Sequence, residues 1–228
     1  MFQYTALGDS ITAGVGATSP CRTYPARVLR DVRKLRAGAA YGDVLAESGW
    51  TTADLTAAVL ENPGSYLARS NVVSIWVGGD DLVNAALAAL NAGTRAALAA
   101  QLATRLRVHE AQLEFLIRHI HRVSRAGIVV CTQYNPFPNT PLAAEAVEKL
   151  NQATIAAAQR AGAAVAPVDA WFDGHQAQWI AGYRTGRLQD ALRGPAPVHP
   201  NDRGCAAIAA GLTPILSGVA RPAINLYG

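Results

Sequence analysis

Hydrophobic positions along the chain fall into two kinds of segment that alternate. Short runs rich in β-branched and aromatic residues lie at Phe2 to Leu7, Tyr41 to Ala46, Asn71 to Val77, Gly127 to Thr132 and Ala163 to Pro167. Between them apolar residues recur at helical spacing, over Tyr24 to Leu35, Thr52 to Glu61, Asp81 to Leu90, Thr94 to Arg125, Thr140 to Ala161 and Asn201 to Leu216. This alternation predicts βαβ units and a five-stranded parallel sheet covered by helices. No repeat or low-complexity linker divides the chain, so a single domain over residues 1–228 is expected. Residues 86–100 are Ala-rich, which reads as helix propensity.

Composition narrows the class. Half of the 228 residues are hydrophobic and 16% are charged, ample material for one large core. The net charge of +4 comes from scattered arginines such as Arg22, Arg27, Arg30, Arg33 and Arg36, without a dense basic run or interleaved aromatics. A nucleic-acid partner is therefore not expected. Cys21, Cys131 and Cys205 are widely spaced and odd in number, which argues against a disulfide framework or a metal site and for a reducing compartment. Neither a metal nor another cofactor is expected. The start MFQYTALGDS carries no export signal, and no stretch is apolar enough to span a bilayer, which points to the cytoplasm.

Chemistry gathers at the strand ends. Gly8-Asp9-Ser10 follows the first strand, Glu47-Ser48-Gly49 the second and Gly78-Gly79-Asp80-Asp81 the third. The carboxyl ends of parallel strands form the crevice where ligands bind, so the three clusters should share one rim. A serine there needs an imidazole to take its proton. His109, His119 and His121 sit in a long charged helix and read as a solvated face, and His175 lies in an aromatic segment, WFDGHQAQWIAGY. His199, in PVHPNDRG, precedes the last helix, with Asn201 or Asp202 as its N-cap.

GDSITAG, Gly49, GGDDL and HPND, in this order across essentially the whole length, resemble the SGNH (GDSL-type) esterases and lipases. YNPFP and the tail GYRTGRLQDALRGPAPVHPND are similar to the branch containing the spore germination lipase of spore-forming bacteria, which would add a spore-associated location. The resemblance implies a three-layer α/β/α flavodoxin-like fold, Ser10 as nucleophile and His199 as general base. It also implies an oxyanion hole from the backbone N–H groups of Ser10 and Gly49 and the side chain at position 80.

Two positions depart from the family pattern. The aspartate expected three residues before the histidine is Ala196, so a carbonyl of the loop 194–197, or the carboxylate of Asp190, is expected to orient His199. The family's asparagine is replaced by Asp80, which as a carboxylate can only accept hydrogen bonds. Three explanations fit: a protonated Asp80 that donates, a weakened esterase, or a substitution that impairs turnover. Asp81 is expected to cap the helix that follows it.

Two rivals remain beside an esterase. Asp9, Asp80, Asp81 and His199 could gather as ligands of a metal-dependent phosphoesterase. Alternatively, the chain could bind acyl groups or lipids without turning them over. Tyr134, Phe137, Trp171 and Trp179 are the expected substrate-binding wall, with Phe172, Tyr183, Pro20 and Tyr24 nearby, and favour an ester or lysophospholipid-type substrate with a short to medium acyl chain.

Overall fold

The computed structural model describes residues 1–36, 38–62, 65–90 and 95–222. Its strands are β1 (Phe2–Gly8), β2 (Ala40–Ala46), β3 (Val72–Trp76), β4 (Gly127–Cys131) and β5 (Ala164–Ala166). They form one parallel sheet in the order β2-β1-β3-β4-β5. Gly8 is in register with Ala46 on one side and Trp76 on the other, which sets the carboxyl ends of β1, β2 and β3 level. The loops that follow these three strands therefore leave the sheet side by side.

The helices are α1 (Ser10–Ala13), α2 (Tyr24–Arg36), α3 (Thr52–Glu61), α4 (Ser65–Arg69), α5 (Gly79–Leu90), α6 (Arg95–Val123), α7 (Pro141–Ala161), α8 (Val168–Phe172), α9 (Gln176–Trp179) and α10 (Asp202–Val219). The strands carry apolar residues on both faces, as a sheet covered on both sides requires. Tyr4, Ala6, Trp76, Val129 and Cys131 pack with Val28 and Val32 of α2 and Ile208, Leu212 and Leu216 of α10. Leu7, Val73, Ile75, Ile128 and Val130 pack on the opposite face with Leu55 of α3, Leu113, Leu116, Ile117 and Ile120 of α6, and Ala157 and Ala158 of α7.

The five strands and six long helices stand where the hydrophobic pattern placed them, with ends shifted by a few residues; the expected start at Thr94 lies outside the described residues. The short helices α1, α4, α8 and α9, of four or five residues each, are too brief to show a period. No helix among the described residues is long and apolar enough to cross a membrane.

Candidate active site

β1 ends on Gly8 and the chain turns directly into α1. Asp9 is the N-cap, its side chain accepting the backbone N–H of Ile11 at 3.0 Å, so the cap is the aspartate and Ser10 is the first helical residue. Burial pushes the Asp9 carboxyl up to about 7, with the charges of Asp80 and Asp81 adding to the rise. Ser10 itself is buried.

Ser10 Oγ lies 2.9 Å from His199 Nε2. Burial alone holds the His199 imidazole below its ordinary value, and no neighbouring carboxylate opposes the shift. This keeps the ring neutral, the form that accepts a proton, below the usual histidine range. Among the described residues the ring's hydrogen bond is the one to Ser10, and none joins it to Asp190 or to a carbonyl of the loop 194–197. The Asp190 carboxylate is buried against Thr185, taking its backbone N–H at 2.8 Å and its hydroxyl at 2.9 Å, and so builds the turn before the 3₁₀ segment Leu188–Leu192. The Ala196 carbonyl accepts the N–H of Val198 at 2.9 Å within its own loop.

His199 is instead placed through its main chain. The Tyr134 hydroxyl donates to the Val198 carbonyl at 2.5 Å, Ala181 N–H donates to the His199 carbonyl at 2.9 Å, and Asn201 N–H donates to the Trp179 carbonyl at 2.8 Å. Asp202 then ties the start of α10 to the loop after Ser10, accepting the N–H and hydroxyl of Thr18 at 2.9 and 2.7 Å and Arg22 Nη1 at 2.8 Å. These bonds, the Thr18 N–H foremost, hold its carboxyl down at about 2. The expected N-cap role goes to Asn201, which accepts from the N–H groups of Arg203 and Gly204.

Ser10 and His199 line a cavity of about 340 Å³ together with Asp9, Gly49, Gly79 and Asp80. Gly49 has φ 89°, and a Cβ built there would meet no atom within 4 Å. The left-handed backbone favours glycine, and the space in front of it stays open for a ligand. Asp80 is half-buried in the first turn of α5, and burial raises its carboxyl above the usual range, with further rises from the charges of Asp81 and Asp54. Asp81 turns away from the cavity. It does not cap α5 but accepts from the N–H and hydroxyl of Thr52, at the start of α3.

With Asp9 and Asp81 engaged in this way, the four groups of the metal rival do not converge. Among the described residues no three His, Cys, Asp or Glu side chains form a donor set for a metal ion.

The rest of the cavity is apolar. Tyr134 and Phe137 belong to it, as expected. Trp171 and Trp179 do not: Trp171 packs against α10 at Gly211, and Trp179 stacks on His175 at 4.3 Å and meets Phe172 edge-on. Their bulk fastens α8 and α9 to the core. Tyr24 is likewise a core residue, bonded through its hydroxyl to Thr12. The wall comes instead from Leu82, Val83, Ala85 and Ala86 of α5, Leu102 of α6, and Leu142, Ala143, Ala146 and Val147 of α7. The signal that could have identified it is the pair of alanine positions on each of α5 and α7, which leave a gap where two helices would otherwise pack closely. A second, wider groove of about 610 Å³ between α2 and the edge strand β2 contains neither Ser10 nor His199.

His109 departs most from its expected place. It is fully buried, because it lies one turn before Leu113 on the inward face of α6, with Nδ1 2.7 Å from Thr52 Oγ1 and Nε2 2.9 Å from Thr154 Oγ1. His119 and His121 are half-buried rather than solvated, while His175 is exposed.

The GDSL-like Lipase/Acylhydrolase family profile matches residues 6–207. No curated protein sequence matches the chain at a significant level. Among solved structures, a lipase from goat rumen metagenome is 22% identical, with 97% of this chain and 99% of that chain covered at a TM-score of 0.78. Phospholipase A1 from Streptomyces albidoflavus is 22% identical, with 96% and 99% covered at 0.67. An acetyl xylan esterase variant from Geobacillus stearothermophilus is 17% identical, with 96% and 95% covered at 0.67. These likenesses establish the three-layer α/β/α fold, and the matches do not support the narrower likeness to the spore germination branch.

Proposed function

The chain belongs to the GDSL-like lipase/acylhydrolase family, and on that premise we propose that it is a serine esterase acting on esters or lysophospholipid-type substrates with short to medium acyl chains. The observation that carries the reading is the 2.9 Å contact between Ser10 Oγ and His199 Nε2 at the wall of an apolar cavity. In the proposed reaction the neutral imidazole takes the Ser10 hydroxyl proton as the oxygen attacks the ester carbonyl. It then returns that proton to the leaving alcohol, and a water molecule repeats the sequence on the acyl-enzyme. The N–H groups of Ser10 and Gly49 face the developing oxyanion, and Asp80 adds a third donor only when protonated.

The cavity supports the proposed substrate class. At about 340 Å³ it lies near the lower end of ligand pockets, and its aliphatic wall between α5 and α7 suits one acyl chain better than a sugar. The decisive experiment is covalent labelling with an alkyl fluorophosphonate followed by a p-nitrophenyl ester series from acetate to decanoate. Labelling at Ser10 with a turnover maximum at short to medium chains is expected; activity confined to acetylated sugars would overturn the substrate class. Filling the wall with Ala146→Phe should cut turnover of the longer esters by about tenfold or more and leave acetate turnover within about twofold, since bulk in an apolar slot rejects added methylenes.

Asp80 favours a second reading, an acyl-binding protein with impaired turnover. It predicts saturable binding of fatty acids without fluorophosphonate labelling.

A further inference from the structure

Beneath Gly49 and Asp80 runs a chain of buried polar side chains that the proposed reaction does not use. Asp81 accepts the backbone N–H of Thr52 at 2.9 Å and its hydroxyl at 3.0 Å; that hydroxyl oxygen lies 2.7 Å from His109 Nδ1, and His109 Nε2 lies 2.9 Å from Thr154 Oγ1. All four residues are buried. Thr52 has one hydroxyl proton to give. If it goes to the Asp81 carboxylate, Thr52 Oγ1 accepts from Nδ1–H, and the bare Nε2 accepts from Thr154. This tautomer gives both ring nitrogens and both threonine hydroxyls a partner with a neutral ring, and burial favours that form by holding the imidazole below its ordinary value, against the charges of Asp81 and Glu110.

The chain joins the two arms of the site. Thr52 stands three residues after Gly49, and Asp81 is the neighbour of Asp80. His109 also lies against the turn that launches α5: a Cβ at Gly78, where φ is 125°, would come within 2.9 Å of His109 Cε1. One imidazole thus touches the third-strand turn and the first residue of α3, which follows the second-strand loop, while anchored to α7.

We propose that Asp81, Thr52, His109 and Thr154 form a positioning relay that holds the Gly49 and Asp80 arms in register with Ser10. The inference rests on the esterase reading above. Loss of the relay would displace groups that act on the transition state, so it should lower kcat rather than loosen acyl binding.

The test compares Thr52→Val, which removes the hydroxyl at nearly constant shape, with Thr52→Ser, which keeps it. In Thr52→Val, kcat on a medium-chain p-nitrophenyl ester should fall by about tenfold or more with KM within about twofold. Amide hydrogen exchange should quicken at residues 47–52 and 78–82 but not in β3 or β4. Thr52→Ser should recover kcat to within about threefold. Unchanged kcat in folded Thr52→Val, a failure of serine to rescue, or exchange rising evenly through the sheet would overturn the relay. Should Thr52→Val not fold, Thr154→Val cuts the far end of the chain and should lower kcat by about threefold at constant KM, and an unchanged kcat there overturns the proposal equally. A parent protein that turns over no ester defeats the esterase reading alone; the exchange pattern still decides the relay, and identical exchange in Thr52→Val and the parent would sink it.

Discussion

Ser10→Ala is expected to lower ester hydrolysis by up to about a million-fold, the scale seen when a serine nucleophile is removed from its histidine partner. His199→Ala should cost nearly as much, and the double variant scarcely more than either single one, because Ser10 and His199 act through one proton transfer across their 2.9 Å contact. The fold should survive. Ser10 is buried, but its hydroxyl makes one side-chain hydrogen bond, worth about 1 kcal/mol, which for a chain of this size is a Tm shift of about 2–4 °C. Steady-state kinetics on a p-nitrophenyl ester and a thermal melt check both halves. Turnover retained in folded Ser10→Ala would remove the serine mechanism; a metal that leaves with His199→Ala would instead revive the metal-dependent rival.

The second large effect concerns Asp80. Asparagine at this position keeps the shape and supplies a permanent N–H donor, so Asp80→Asn should raise the acylation rate by about 100-fold or more at alkaline pH, the usual worth of one oxyanion donor. The pH dependence of the parent follows from two opposite shifts. Burial raises the Asp80 carboxyl, so its protonated, donating form persists above the usual carboxylate range. Burial lowers the His199 imidazole, so its neutral, accepting form is available below the usual histidine range. The two shifts bring the active forms toward each other in pH. Parent turnover should therefore rise as His199 deprotonates and fall again as Asp80 ionises, whereas Asp80→Asn loses the alkaline fall. The ratio of variant to parent should grow with pH in kcat/KM profiles. An Asp80→Asn protein no faster at any pH would show that position 80 does not serve the oxyanion. Stability should move in the same sense: a carboxyl raised in the fold takes up a proton on folding, so its contribution is lost as pH rises, and asparagine removes that loss.

How much was legible in the sequence follows from the range of each interaction. The strands were legible because both faces of the sheet are buried, so β3 and β4 read as apolar runs, interrupted in β3 by Ser74 alone and bounded by glycine and polar residues. The convergence of Ser10, Gly49 and Asp80 followed from parallel strands ending level. What eluded the reading depends on which helix faces which. His109 looked solvated because its helix is charged, yet its spacing to Leu113, Leu116 and Ile120 already placed it on the inward face. Asp81 looked like a local cap, but its partner Thr52 is 29 residues away. The large aromatics drew attention as a ligand wall although Trp171 and Trp179 serve the core, while the cavity owes its space to small residues such as Ala86 and Ala146, whose contribution is what they lack. The setting of His199 through carbonyl and amide contacts has no side-chain signature at all.

The Ser10–His199 contact closes a loop of 189 residues, and the Asp202–Thr18 tie beside it spans 184. During synthesis from the amino terminus, the serine and the whole five-stranded sheet exist before the histidine has been made. The reactive pair is therefore the last thing the chain acquires, when α10 settles onto α2 and the sheet. A ribosome-bound chain stopped before residue 199 should carry a chemically silent serine, and the onset of fluorophosphonate reactivity clocks the docking of α10 that completes the core on that face of the sheet.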